Sequence, residues 1–293
     1  MHDPHHPVLR EATLELLDPQ PGAFFVDGTV GWGGHSSALL ERGVVLWGLD
    51  RDPSALEWSR KRLGDGVRLH HATFSQLPEL LESRRPDGIL LDLGVSSPQL
   101  DRPERGFSFR NNGPLDMRMD PTRGETAAEL LARVDEAELA DILYHYGEER
   151  QSRRIARAIK AGLPFAGTAA LAECIAKQLP YERGQHPATR SFQGLRIAVN
   201  RELEELDSAL ATFPELLAPG GRLAIISFHS LEDRKVKERF RELSGEGAPV
   251  DYRGQPLSAP RFRLPVRKAV KGEDGDPHPR ARSARLRVLQ RLE

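Results

Sequence analysis

The stretch Phe24-Phe25-Val26-Asp27-Gly28-Thr29-Val30-Gly31-Trp32-Gly33-Gly34-His35-Ser36 decides the fold. An apolar run ends in an acid, passes through a glycine-dense turn and enters a helix. That is the strand–loop–helix unit by which a doubly wound α/β sheet holds a nucleotide-like ligand. Gly31, Gly33 and Gly34 let the backbone turn tightly and let a ligand approach where a Cβ would clash. Asp27 narrows the ligand. A pyrophosphate is anionic and is held by helix amides, so an acid directly before the loop suits a ligand with a cationic amino group. S-adenosylmethionine carries an ammonium and a sulfonium; a dinucleotide carries neither. For the loop taken alone, a purely structural βα turn is the competing reading.

A second block, Asp87-Gly88-Ile89-Leu90-Leu91-Asp92-Leu93-Gly94-Val95-Ser96-Ser97-Pro98-Gln99-Leu100-Asp101, has the same strand-into-turn pattern. It is followed by Glu104-Arg105-Gly106-Phe107-Ser108-Phe109-Arg110 and by Gly113-Pro114-Leu115-Asp116-Met117-Arg118-Met119-Asp120. With these blocks the chain resembles the bacterial family of 16S ribosomal RNA cytosine-N4 methyltransferases, the MraW or RsmH family. The resemblance starts at His6-Pro7-Val8-Leu9 and continues through Gly147-Glu148-Glu149-Arg150 and His186-Pro187-Ala188-Thr189-Arg190-Ser191-Phe192-Gln193. It ends with Ile226-Ser227-Phe228-His229-Ser230-Leu231-Glu232-Asp233-Arg234 and Arg280-Ala281-Arg282-Ser283-Ala284-Arg285-Leu286-Arg287-Val288.

The 293 residues allow two domains, or one large domain with an insertion. Hydrophobic content of 39% and charged content of 29% fit a globular protein. No apolar run approaches the roughly 20 residues that span a bilayer, and the N-terminus lacks a signal peptide's basic start and apolar core. The single cysteine, Cys174, excludes an intramolecular disulfide and fits a reducing cytoplasm. It reads as a small core residue in a helix. His2, His5 and His6 lack a spaced further ligand, so no metal is expected. Net charge is −1, but it is unevenly spread: 11 Lys/Arg against four acids from Arg253 onward leave +7 there and −8 in the rest. A basic end on an acidic chain suits local docking of a polyanion; a solvated surface is the alternative.

Phe24–Asp27, Val44–Asp50, Val67–His71 and Gly88–Leu93 read as short buried strands. Ser36–Arg42 and Pro53–Leu63 read as helices between them, the second capped by Asp52. This alternation predicts a Rossmann-like, mainly parallel α/β sheet. From about Arg110 to about Glu205 no strand is evident. Helices are expected over Ala127–Arg133, Glu136–His145, Arg150–Ala161, Ala169–Gln178 and from Ser191. The sheet resumes at Pro219–Phe228, Ser244–Pro260 reads as a loop, and Phe262–Val270 with Ala284–Leu292 is expected to close the sheet as an antiparallel ribbon. The expected domains are a methyltransferase domain in two parts, 1–109 and 206–293, around an inserted all-helical domain, 110–205.

The ligand crevice of such a sheet lies at the carboxyl ends of its strands. Asp50 ends the second strand and suits the two ribose hydroxyls, with Asp52 as the helix cap; the alternative makes either acid a cap. Phe74 suits an adenine ring or the core. The resemblance implies cofactor contacts at Gly33, Gly34, His35, Asp50, Phe74, Asp92 and Gln99. To these Asp27 and Gly31 are added from the loop's chemistry. For His35 the backbone amide is the favoured contact.

The lone pair of the cytosine N4 amine is delocalised into the ring. Methylation therefore needs hydrogen-bond acceptors at the amine and the base held out of its stack. Common amino-methyltransferases place an acid or amide, two prolines and an aromatic in one strand-end loop. Here Asp92 precedes Ser96-Ser97-Pro98-Gln99, with a single proline and Gln99 in place of the aromatic. Asp92, Ser97 and Pro98 are the catalytic candidates. Phe107 and Phe109 are the candidate stacking rings, or alternate residues of a packed strand. His229 is a candidate proton acceptor or RNA contact, or a structural loop residue. Arg150, Arg153, Arg154, Arg157 and Lys160 share one helix face, with Arg150, Arg154 and Arg157 the leading RNA contacts; a solvated face is the alternative reading.

Three functions fit: an S-adenosylmethionine-dependent rRNA (cytosine-N4-)-methyltransferase, a nicotinamide-dependent oxidoreductase, and an RNA-binding assembly factor without chemistry. Ser36 and Asp27 disfavour the second. The resemblance implies the first, with the cytidine conventionally numbered 1402 in the decoding region of 16S rRNA as target. The implied partner is 16S rRNA within the small ribosomal subunit, in the cytoplasm and without a membrane; the oligomeric state stays open.

Overall fold

The computed structural model describes residues 7–180, 186–246, 259–272 and 281–293. Two compact bodies emerge. One comprises the described residues up to Gly94 and from Glu204 on; the other is Val95–Leu203. The helical body therefore starts after Gly94, where the sequence draws the line after residue 109. The reason is packing: Val95 and Phe107 are buried in the helical body's core.

In the first body, β1 (Phe24–Asp27), β2 (Val45–Asp50), β3 (Arg68–His71), β4 (Gly88–Asp92) and β5 (Arg222–Ser227) are parallel, in spatial order β3-β2-β1-β4-β5. The chain moves one way from β1 to β3, then returns to place β4 on the other side of β1. The carboxyl ends of β1 and β4 thus flank the switch point at which such sheets bind ligands. Next come β6 (Phe262–Arg263), β7 (Val270–Lys271) and β8 (Arg285–Arg291); β8 lies antiparallel to β5, and both short strands pair with β8. The expected continuous strand Phe262–Val270 is thus two fragments. Pro265 has no N–H to donate to a ladder.

In chain order the helices are α1 (Arg10–Leu17), α2 (Gly34–Leu40), α3 (Pro53–Leu63), α4 (Leu77–Leu81), α5 (Ser97–Asp101), α6 (Ala127–Arg133), α7 (Glu136–His145), α8 (Ser152–Gly162), α9 (Thr168–Ala176), α10 (Thr189–Asn200), α11 (Glu202–Leu216) and α12 (Ser230–Leu243). Asp52 caps α3, accepting from the Ser54 amide at 3.0 Å. Both faces of the sheet are covered, which is why its strands read as near-continuous apolar runs. Val26, Ile89, Leu91, Leu223 and Ile225 pack with Phe213 and Leu217 on one face. Phe25, Leu90, Ala224 and Ile226 pack with Leu14, Leu17, Ala38 and Leu39 on the other. Truncating fully buried Leu90 to alanine would cost about 2–5 kcal/mol.

The second body contains α5 to α10 and, among the described residues, no strand. Its core gathers Leu139, Leu143, Ile155, Ile159, Leu171, Ile175 and Leu195. The block around Met117 is a fastened loop. Asn200 accepts from the Met119 amide and donates to the Met117 carbonyl, both at 2.7 Å, while Arg105 donates to the carbonyls of Arg118 and Met119. No helix among the described residues is long and apolar enough to cross a membrane.

Candidate active site

The glycine loop is held from three directions. Gly31 and Gly33 have φ of +52° and +75°, the left-handed region that glycine occupies without penalty. The Gly31 amide donates to Asp50 Oδ2 at 2.8 Å and its carbonyl accepts from Ser59 Oγ at 2.8 Å. Trp32 stacks on Trp58 of α3, with ring centroids 4.6 Å apart and planes 9° from parallel. A Cβ on Gly31 would meet only the Thr29 carbonyl at 3.8 Å, so the missing side chain leaves open space at the loop.

Two acids anchor this loop. Asp27 is buried; its oxygens accept from the Thr29 amide at 3.1 Å and the Ser36 hydroxyl at 2.7 Å. The structure therefore places Asp27 inside the turn, bracing it, and any influence on a ligand's ammonium acts through its charge. Burial pushes its carboxyl up to about 6, against those hydrogen bonds. Asp50 also accepts from the Asp52 amide at 2.8 Å. Burial pushes Asp50 up to about 6 as well; its two amide donors oppose the rise, and the charges of Asp52 and Asp27 add to it.

Asp92 ends β4. Its amide donates to Thr29 Oγ1 at 2.6 Å, tying this strand end to the glycine loop. The His35 ring, buried at the start of α2, brings Nε2 to 3.8 Å from Asp92 Oδ2. Phe74, half-buried after β3, meets Phe213 edge to face at 6.5 Å, and its Cβ would lie 3.2 Å from a Cβ on Gly28. It serves the core and borders the loop at once. Asp27, Gly31, Gly33, Gly34, His35, Asp50, Phe74 and Asp92 thus all belong to the first body, around the carboxyl ends of β1, β2 and β4.

Ser97, Pro98 and Gln99 open α5 and belong to the second body. Ser96 caps the helix. Gln99 Oε1 accepts from the Ser96 amide at 2.9 Å, completing a reciprocal capping box. This gives Gln99 a structural task at the position where the usual tetrapeptide carries its aromatic ring.

Phe107 and Phe109 do not lie on a strand. Phe107 is buried in the helical core with the Arg105 guanidinium 5.8 Å from its ring centre, so it cannot present a face to a base without unpacking. Phe109 is half-buried, 4.4 Å from the exposed His186 ring and 4.8 Å from Phe192. His229 stands in the turn into α12. Its Nδ1 accepts from the Glu232 amide at 3.4 Å and its Nε2 lies 3.1 Å from Glu232 Oε1, so both ring nitrogens face Glu232 as an N-cap of α12. In the sequence, Glu232-Asp233-Arg234 reads only as a local ion pair.

Arg150, Arg153, Arg154 and Arg157 are exposed, opposite the buried Ile155 and Ile159. Arg157 lies 3.3 Å from Glu136. Lys160 differs: its ammonium donates to the carbonyls of Leu131 at 2.8 Å and Val134 at 2.6 Å, capping the end of α6. Much of the basic C-terminal segment is also engaged internally. Arg261 pairs with Glu215, Arg287 with Asp233, and Arg285 donates to the carbonyls of Arg282 and Ala284. Arg267, Lys268 and Lys271 are exposed. Arg253, Arg280 and the early histidines lie outside the described residues.

A mainly parallel sheet with a glycine loop after β1 and acids ending β1, β2 and β4 defines a Rossmann-like methyltransferase fold. The sequence pattern of the MraW methylase family matches residues 2–292, and the chain belongs to that family. It is 51% identical to the ribosomal RNA small subunit methyltransferase H of Thioalkalivibrio sulfidiphilus, covering 98% of this chain and 97% of that one. Identity to the protein of the same name from Anaeromyxobacter dehalogenans is also 51%, over 98% of each chain. A solved rRNA methylase from Streptococcus thermophilus aligns with 97% of this chain and 94% of its own at 12% identity, with a TM-score of 0.45. Family membership sets the nicotinamide reading aside.

Proposed function

We propose that this chain methylates N4 of a cytidine in 16S rRNA of the small ribosomal subunit, the decoding-region position 1402, in the cytoplasm. The observation that carries the reading is the coupling of Asp92 to the glycine loop: its amide is tied to Thr29, and His35 stands at its carboxylate. An acceptor for an amine and a cradle for a cofactor are thereby fixed in one rigid edge.

S-adenosylmethionine is the cofactor; when bound, it supplies a methyl group activated by a positive sulfur. The residues present suit it. Asp50 takes the ribose hydroxyls, Gly31, Gly33 and Gly34 admit close backbone approach, His35 offers a helix-start amide, and Phe74 borders the adenine, with Gln99 carried over from the family. Asp27 adds negative charge behind the loop. Asp92 accepts hydrogen bonds from the cytosine amine, which loosens the lone pair from the ring. Ser97 and Pro98, which open α5 a few residues after Asp92 in the chain, remain the further catalytic candidates. Positioning of an already activated donor can supply much of the acceleration. Arg150, Arg154 and Arg157, with Arg153, supply phosphate contacts, and Phe109 with His186 offers a partly exposed aromatic surface to RNA.

Purified protein with S-adenosylmethionine labelled in the methyl group and small subunits lacking the modification is expected to yield N4-methylcytidine in digested 16S rRNA. Tight subunit binding without label transfer would favour a non-catalytic assembly factor.

A further inference from the structure

The strand-end tetrapeptide lacks its stacking aromatic, with Gln99 in that place and closing a capping box, and Phe107 is core. We infer that Phe228, at the carboxyl end of β5, supplies the ring against which the target base rests. This deepens the proposed methyl transfer and rests on it.

The register places it. Asp92 of β4 pairs with Ile226 of β5, and the Leu93 amide donates to the Ile226 carbonyl at 2.9 Å. Gly94 and Phe228 follow two residues on, just past the ends of β4 and β5. Alternate residues of paired strands share a face. Leu90, Ala224 and Ile226 point into one apolar cluster, and partly buried Phe228 packs against that same cluster. Asp92 shares the parity of Leu90, so its carboxylate and the Phe228 ring lie on one face of the sheet, on neighbouring strands, at the ligand edge. Gly94 lies beside the ring: it has φ +92°, which suits glycine, and a Cβ there would stand 3.7 Å from Phe228 Cδ2. Phe228 itself is partly buried.

Glu232 then has a task. This carboxylate is 2% exposed, and a buried acid is retained only at a cost. Its Oε2 accepts from the Phe228 amide at 2.9 Å while Oε1 faces the His229 ring at 3.1 Å. It holds the turn between β5 and α12 and so aims Phe228; it is a positioning residue.

The test compares Phe228→Tyr, Phe228→Leu and Phe228→Ala with the parent, using undermodified small subunits and S-adenosylmethionine. Phe228→Tyr is expected to keep near-parent kcat/KM. Phe228→Leu, apolar and of similar volume, is expected to lose about tenfold or more, the scale of one lost base–aromatic stack, and Phe228→Ala at least as much. Cofactor affinity by calorimetry is expected to stay within about twofold in all three, since the base and not the donor is held there. Parent-like turnover in Phe228→Leu overturns the proposal, as does a matching loss of cofactor affinity, which would make the ring part of the cofactor wall. A parent that transfers no methyl group to the subunit instead overturns the underlying reading.

Discussion

The Gly31 amide donates to Asp50 Oδ2 at 2.8 Å, and the Gly31 carbonyl accepts from Ser59 at 2.8 Å. Both backbone groups of one loop residue are thus held from outside, by the acid that ends β2 and by α3. The loop's shape is set before any ligand arrives, so little ordering remains for binding to accomplish.

Asp50→Ala is expected to weaken S-adenosylmethionine binding by about 1–3 kcal/mol, because the part-buried Gly31 and Asp52 amides lose their acceptor and the ribose loses its partner. The parent should also bind less tightly in acid. Its carboxyl titrates near 6, so affinity should be flat at neutral pH and fall towards about tenfold per pH unit below that point. Asp50→Asn should bind weakly with a flat profile. Calorimetry across this range decides, and equal parent affinities at about pH 5 and pH 8 would remove the carboxylate from the contact.

Asp27 gives a stability prediction. Burial raises its folded-state value to about 6, while the unfolded chain keeps an ordinary carboxyl near 3.9. The native state therefore holds the proton more tightly. The resulting stabilisation is complete at low pH and is lost as pH rises through about 6. Asp27→Asn should then be more stable than the parent at about pH 7.5, by at most about 3 kcal/mol, and should lose that advantage near pH 4. Ser36 can turn its hydroxyl to accept from the new amide. Denaturant melts at the two pH values test this; an advantage that is the same at both would assign it to something other than the ionised carboxyl.

Asp92→Ala is expected to abolish transfer while weakening cofactor binding less than Asp50→Ala does. The contact to Thr29 is made by the backbone and survives the substitution. Near-parent single-turnover rates would make Asp92 a structural residue.

The first body was legible because its signals are local. β1 matches its predicted bounds, and α3 begins at Pro53 behind its Asp52 cap. A glycine turn and an acid at a strand end need no distant partner to be recognised. What escaped depends on contacts far apart in the chain. Val95 and Phe107 join the helical body through packing that the composition of their segment conceals. Lys160 falls on the basic face by helical spacing, yet its ammonium caps α6, some 26 to 29 residues earlier. The role of Glu232 was hidden in a charged triplet. A four-residue spacing from Phe228 and three from His229 was the available signal, the geometry of a helix N-terminus that reaches back on itself.

The remaining prediction separates that lysine from its neighbours. Arg150, Arg153 and Arg154 are exposed, and the Arg157–Glu136 pair is exposed on both sides and therefore weak. Neutralising Arg150, Arg154 and Arg157 together should weaken subunit binding in a graded way and leave cofactor affinity unchanged. The dependence of log affinity on log salt should flatten by about 0.7–0.9 for each phosphate contact removed. Lys160→Met should behave oppositely. It should destabilise the fold by about 1–3 kcal/mol through two uncapped carbonyls, with the salt slope unchanged. Binding titrations at several salt concentrations, paired with melts, read both effects. A triple variant with the parent's slope would make the stripe a solvated face and shift the RNA contact elsewhere, with exposed Arg267, Lys268 and Lys271 the next residues to neutralise.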